Sequence, residues 1–157
     1  MYGYFGDLRN NIVKDGVFDS IICGSVLEHI GMNNARIYWD DSKFNENKRK
    51  DYLTVVNEFK RVLKKNGTCL ITVPFGIRKN YGWFQVFDYK MIHEMVKIFG
   101  VRNSTITFYK YTSTGWVFSD GNQCKGAEYF DVRKKGQFLA NKQAAAGAVA
   151  CIKLIKE

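Results

Sequence analysis

The sequence predicts an α/β protein built on a mostly parallel sheet, and three observations carry that prediction. Two short, nearly continuous apolar runs, "FDSIICGS" (18–25) and "TCLITVPFG" (68–76), are bounded by Gly and Asp, as central strands covered on both faces would be. Between them Tyr52, Val55, Val56, Phe59, Val62 and Leu63 recur at spacings of three and four, which places them on one face of a helix over about 48–65. The alternation repeats downstream, where a second helical stripe leads into "STITFYKY" (104–111).

A strand that returns through a helix pairs in parallel with its predecessor, by a right-handed crossover. "KKNG" closes the first helix, with Gly67 suited to the left-handed C-terminal position. The second helix spans about 89–99. Asp88 is its candidate N-cap, Met91, Ile92, Met95, Val96 and Phe99 form its apolar stripe, and Gly100 ends it. The run 104–111 alternates, as a strand near an edge or in an antiparallel pair does, and "GAVACIKLIK" (147–156) reads as a final strand. "MNNARIYWDDSKFNENK" (32–48) interrupts the first crossover, and an irregular region spans 112–143. Loops of that length in a compact domain are usually functional lids or poorly ordered inserts. The chain is thus expected to be one domain, 1–157: an α/β core over 1–111, an irregular insert over 112–143 and a final strand over 144–157.

Composition narrows the function classes. A chain of 157 residues, 46% hydrophobic with a single proline, can bury one sizeable core and is not a disordered chain. No apolar run approaches the ~20 residues of a membrane span. "MYGYFGDLRNN" lacks the charged and apolar regions of a signal peptide, so a soluble, cytoplasmic protein is expected. Cys23, Cys69, Cys124 and Cys151 are scattered without a CxxC pair, and three lie in apolar runs, which reads as buried free thiols. The net charge of +9 would attract anions, but the basic residues are spread over several segments. No block interleaves them with aromatics as a nucleic-acid groove does, so neither nucleic acid nor a membrane is an expected partner.

Ligands of open parallel sheets bind beyond the carboxyl ends of the strands. Those ends are "CGSVLEH" and "PFG": Gly24 and Ser25 leave room for a ligand close to the backbone, and Glu28 and His29 follow within one turn. The succession "GDLRNNIVKDGVFDSIICGSVLEHIG", "EFKRVLKKNGTCLITVPFG" and "VFDYKMIHEMVKIFG" resembles the middle and later part of a class I S-adenosylmethionine-dependent methyltransferase (methyltransferase type 11-like), best over 6–76. The resemblance implies a Rossmann-like sheet, S-adenosylmethionine as cofactor, and methyl transfer to a small-molecule or glycan-type acceptor. It also implies roles for particular positions. Asp7, ending a short "YFGD" strand, matches the acid that accepts a hydrogen bond from the adenine amino group, and Leu8 would pack near the ring. Cys23, Gly24 and Ser25 match the strand end whose backbone lies beside the methionine part of the cofactor. Glu28 and His29 match a pair that in some O-methyltransferases contributes to a metal or substrate site. Those enzymes carry a further acid three residues before the Glu; Ser25 stands there, which argues against a metal.

The family's glycine-rich cofactor loop has no counterpart, since no GxGxG occurs in the chain. The resemblance therefore implies a fold truncated at its N-terminal strands, with a C-terminal β-rich extension and an exposed flank on the sheet. A partner chain, a second copy or strands from 112–143 would cover that flank. The alternative to an enzyme is a catalytically inactive remnant that keeps the fold as a binding or assembly module.

His29 is either a structural histidine at a helix start or a base, for which its ordinary pKa near ~6.5 suits it. Methyl transfer needs little acid–base help, because a sulfonium is an activated donor and positioning supplies much of the rate. His93 falls on a helix surface. Tyr81, Trp83, Phe84 and Phe87 either cap a substrate pocket or pack their loop. Trp116 has hairpin-like surroundings, and "RKK" (133–135) reads as a solvated turn.

Overall fold

The computed structural model describes residues 6–102, 104–131, 143 and 145–157. Its main sheet has five strands, in the spatial order β1 (Phe18–Gly24), β2 (Leu63–Pro74), β7 (Ala148–Ile155), β5 (Ser104–Thr112) and β6 (Gly115–Ser119). A separate two-stranded ribbon joins β3 (Lys79–Asn80) to β4 (Gln85–Val86). β1 pairs with β2 in parallel, whereas β7 is antiparallel to both β2 and β5. Thus β1, β2 and β5 run the same way. The architecture is the expected Rossmann-like α/β sheet, and parallel pairing is confined to β1–β2 because the last strand inserts between β2 and β5.

Helices α1 (Tyr52–Val62) and α2 (Tyr89–Phe99) cover one face of this sheet. Val55, Val56 and Phe59 from α1, with Ile92, Met95 and Phe99 from α2, pack in one core with Cys69, Ile71, Ile152 and Leu154. Each large apolar side chain so buried contributes on the order of 1.5–3 kcal/mol, and together they fix the sheet against the helices. The N-cap of α2 is as expected, with Asp88 Oδ1 accepting the Met91 N–H at 2.9 Å, and Gly100 ends the helix at φ +69°. Asp88→Ala should cost about 1 kcal/mol, seen as a fall in Tm of about 2–4 °C in a thermal melt.

Two local expectations are corrected. Helix α1 starts at Tyr52 and stops at Val62, because Leu63 is already extended and paired with Phe18. Asn66, at φ +64°, takes the left-handed position expected of Gly67. The strands are also not covered on both faces. Buried Cys69, Ile71 and Val73 alternate with Leu70, which is 40% exposed, and on β1 Ile22 is 80% exposed. Apolar residues on the open side disguise an alternation that polar ones would have revealed. Ile22, Leu70, Thr107 and Cys151 line a shallow trough along that face.

Among the described residues β1 pairs only with β2, so it is an edge. The described part of 112–143 forms β6 and a short helix, α3 (Gly121–Cys124), at the other side of the sheet and does not cover β1. Trp116 lies on β6 opposite Tyr111, in the hairpin its surroundings suggest. All four cysteines are free thiols; Cys23, Cys69 and Cys124 are buried and Cys151 half-buried. His93 is exposed on α2. Residues 133–135 and the start of "YFGD" lie outside the described residues, and Gly6 and Asp7 are not in a strand. Among the described residues, no helix is long and apolar enough to cross a membrane.

Candidate functional site

At its carboxyl end β1 turns sharply. Ser25 takes φ +52°, rarely adopted by residues other than glycine, and its N–H reaches both the carbonyl and the hydroxyl oxygen of Thr72 on β2 at 3.1 Å. Such an outlier persists only where its surroundings hold it, here the neighbouring strand. The chain then makes one 3-10 turn, Leu27–His29. Leu27 is wholly buried in the core, and its neighbour Glu28 goes in with it, 4% exposed.

Glu28 is a carboxyl group in the wrong place for stability. Its Oε2 is buried without a hydrogen-bond partner among the described residues, and burial pushes its pKa up to about 7. His29 Nδ1 lies 2.9 Å from the Trp83 carbonyl oxygen, which can only accept. Nδ1 therefore carries the proton and Nε2 keeps a lone pair. Burial holds the imidazole below its ordinary pKa, so it is neutral at pH 7.

Ser25, Glu28 and His29 line a hollow of about 200 Å³ with Pro74, Trp83, Phe84 and Tyr129. The ends of β1 and β2 thus share one hollow through Ser25 and Pro74. Gly76, expected on the same rim, is instead packed against the Ala127 backbone. The aromatic wall is continuous: ring centroids are 4.7 Å apart for Trp83 and Phe84, 4.5 Å for Phe84 and Tyr129, and 5.1 Å for His29 and Trp83. Of the other aromatic residues in that loop, Tyr81 stacks on Phe84 and Phe87 is fully buried in the core.

A second hollow, about 470 Å³, lies on the other side of the same turn and is lined by Asp7, Leu8, Arg9, Val26, Ile30, Asn34, Tyr38 and Phe44. Ser25, Glu28 and His29 therefore face the smaller hollow and Val26 and Ile30 the larger, and the turn is the wall between them. Arg9 grips the Asp7 carboxylate through Nε at 3.0 Å and Nη2 at 2.7 Å, and its Nη1 reaches Glu46 at 2.8 Å and Asp51 at 2.9 Å. Hydrogen bonds from Arg9 hold the Asp7 carboxyl below the usual carboxylate range, so it is an ionised acceptor at neutral pH. The Tyr38 and Phe44 rings lie 4.3 Å apart. Asn34 donates from Nδ2 to the His29 carbonyl oxygen at 2.7 Å, and its buried Oδ1 has no partner among the described residues.

The sequence-predicted residues thus divide. Asp7 and Leu8 border the larger hollow, while Ser25, Glu28 and His29 border the smaller. The Cys23 side chain points into the core, leaving its main chain at the strand end, and Gly24 is exposed. Arg9, Asn34 and Tyr129 had no motif to mark them. Tyr38 and Phe44 carried a signal, as aromatic residues inside a long polar insert.

The chain matches no protein-family model and no curated protein sequence. Solved structures do resemble it. A candidate methyltransferase from Bacillus halodurans superposes at a TM-score of 0.52, with 16% identity over 96% of this chain and 75% of that one. The YcgJ protein of Bacillus subtilis does so at 0.50, with 13% identity over 97% of this chain and 69% of that one. Phosphoethanolamine N-methyltransferase 2 of Haemonchus contortus, solved with S-adenosyl-L-methionine bound, also scores 0.50, at 12% identity over 96% of this chain and 36% of that one. The class the architecture defines is a Rossmann-like fold shared with solved methyltransferase structures. At these identities the likeness is one of fold.

Proposed function

We propose that this protein is a methyltransferase that uses S-adenosylmethionine and transfers a methyl group to a small-molecule or glycan-type acceptor. One observation carries the proposal: two hollows flank a single turn beyond the ends of β1 and β2, one suited to an adenosyl group and the other holding a buried carboxyl whose Oε2 has no partner among the described residues. The larger fits the cofactor chemically. Its ionised Asp7 can accept from an adenine amino group, the orphaned Asn34 Oδ1 lacks a donor such as a second amino N–H, and Leu8 and Val26 supply apolar contact for a flat ring. The main chain of 23–25 would pass beside the methionine part.

When bound, S-adenosylmethionine supplies a methyl group already activated on a sulfonium. The chain's own residues then orient the acceptor. Trp83, Phe84 and Tyr129 exclude water from the smaller hollow, and the His29 Nε2 lone pair can hold a proton released by the acceptor. A second copy or a partner chain covering the β1 edge and the trough around Ile22 and Leu70 completes the proposal. The inactive-remnant reading draws on one fact, that both Asp7 oxygens are already hydrogen-bonded to Arg9.

Calorimetric titration with S-adenosylhomocysteine tests the two. Micromolar binding that weakens at least tenfold in Asp7→Ala is expected of the enzyme, a loss of about 1.4 kcal/mol or more. An absence of heat at millimolar ligand would overturn the enzyme and leave the remnant.

A further inference from the structure

The smaller hollow pairs a buried carboxyl with aromatic walls. The chain carries 24 Lys and Arg against 15 Asp and Glu, yet neither Lys nor Arg is among the described residues that line this space. Among the described residues its single carboxyl is Glu28, and burial keeps the neighbouring His29 neutral. The remaining walls are aromatic or small. A buried carboxyl with one oxygen, Oε2, unsatisfied among the described residues costs stability that an apolar residue would spare. Its presence in a hollow lined by indole, phenyl and phenol rings is accounted for if a ligand brings the missing positive charge.

Ring systems attract cations to their faces, most strongly for Trp, and a carboxylate beside them adds a counter-charge. Size points the same way. About 200 Å³ is little more than a cavity of ~150 Å³ that takes up benzene, which suits a group of a few carbons. We infer that this hollow binds a small ammonium ion, a protonated amine or its methylated form, with its alkyl groups against Trp83, Phe84 and Tyr129 and its charge opposite the Glu28 carboxylate. The inference deepens the proposed function, on which it rests for its role, by naming the acceptor as an amine. For a protonated amine Glu28 also serves as the base. One N–H bond breaks and one O–H bond forms on the carboxylate, leaving a neutral amine whose nitrogen lone pair is free to take a methyl group.

The test is calorimetric titration of the whole chain at pH 8, where Glu28 is ionised, with choline and with 3,3-dimethylbutan-1-ol, which has the same shape without the charge. Choline is expected to bind at least tenfold more tightly than the alcohol. Glu28→Gln should cut that preference at least threefold while leaving the alcohol's affinity unchanged, and Trp83→Leu, which keeps an apolar wall, should weaken choline threefold or more. Equal affinities, no binding of either probe, or a preference undiminished in Glu28→Gln would overturn the ammonium site. Titration with S-adenosylhomocysteine on the same sample separates the two proposals. Choline selectivity without nucleoside binding would sink methyl transfer and leave the cation site, and nucleoside binding without selectivity would do the reverse.

Discussion

Replacing Glu28 by glutamine is expected to raise the Tm at pH 8 by about 6–12 °C and to leave it nearly unchanged at pH 4. The sign follows from burial. In the unfolded chain Glu28 titrates near its ordinary value of 4.5, whereas in the folded protein burial moves it up to about 7. Between those values the folded state holds a proton that the unfolded state has lost, so stability falls as pH rises and levels off above the folded pKa. A shift from 4.5 to about 7 corresponds to about 3 kcal/mol at pH 8, or about 6–12 °C for a chain of this size. His29 titrates in both proteins and drops out of the difference. Melts of the two proteins from pH 4 to pH 9 check this, and a Tm difference independent of pH would mean that the carboxyl is solvated. A substitution that stabilises the fold and lowers cation selectivity would mark Glu28 as kept for function at the expense of stability.

The second large effect is at Gly76. Its φ of +149° belongs to a region essentially restricted to glycine, and an added Cβ would overlap the carbonyl oxygen of Ala127. That oxygen accepts from the Ile77 N–H at 2.9 Å, and the Gly76 N–H donates to the Phe87 carbonyl at 3.0 Å, so backbone on both sides resists movement. Strain of about 1–3 kcal/mol and overpacking of about 1–3 kcal/mol together give a loss of about 4 kcal/mol for Gly76→Ala. Scanning calorimetry should show Tm lower by about 10 °C. The segment it displaces runs on to Tyr129, so the same substitution is expected to weaken choline binding in the smaller hollow.

The helical stripes were legible in the sequence because burial on one side leaves a period that survives in the residue order. Val55, Val56 and Phe59, and Ile92, Met95 and Phe99, all fall in the core. Asp88 and Gly100 announced the ends of α2 for the same kind of local reason, one as a side-chain acceptor and the other as a left-handed cap. The ends of α1 were hidden, since Leu63 is apolar in helix and strand alike and only its pairing with Phe18 decides. The open face was hidden because Ile22 and Leu70 are apolar although exposed.

At the site, the resemblance brought Asp7, Leu8, Ser25, Glu28 and His29 to the neighbourhood of one turn. It could not show that they face two hollows, because that depends on how Leu27 anchors in the core and turns its neighbours to opposite sides. Arg9 escaped notice because its partners Glu46 and Asp51 are distant in sequence, and Tyr129 because only the return of the chain from α3 brings it to Phe84.

The central claim is that the turn after β1 separates a cofactor hollow from an acceptor hollow. The most direct test is an amide nitrogen–proton NMR titration of the chain with S-adenosylhomocysteine. Shifts concentrated at residues 7–9, 23–31 and 34, on both sides of that turn, are the predicted result. Shifts confined to the open sheet face around Ile22 and Leu70, or none at millimolar ligand, would contradict it.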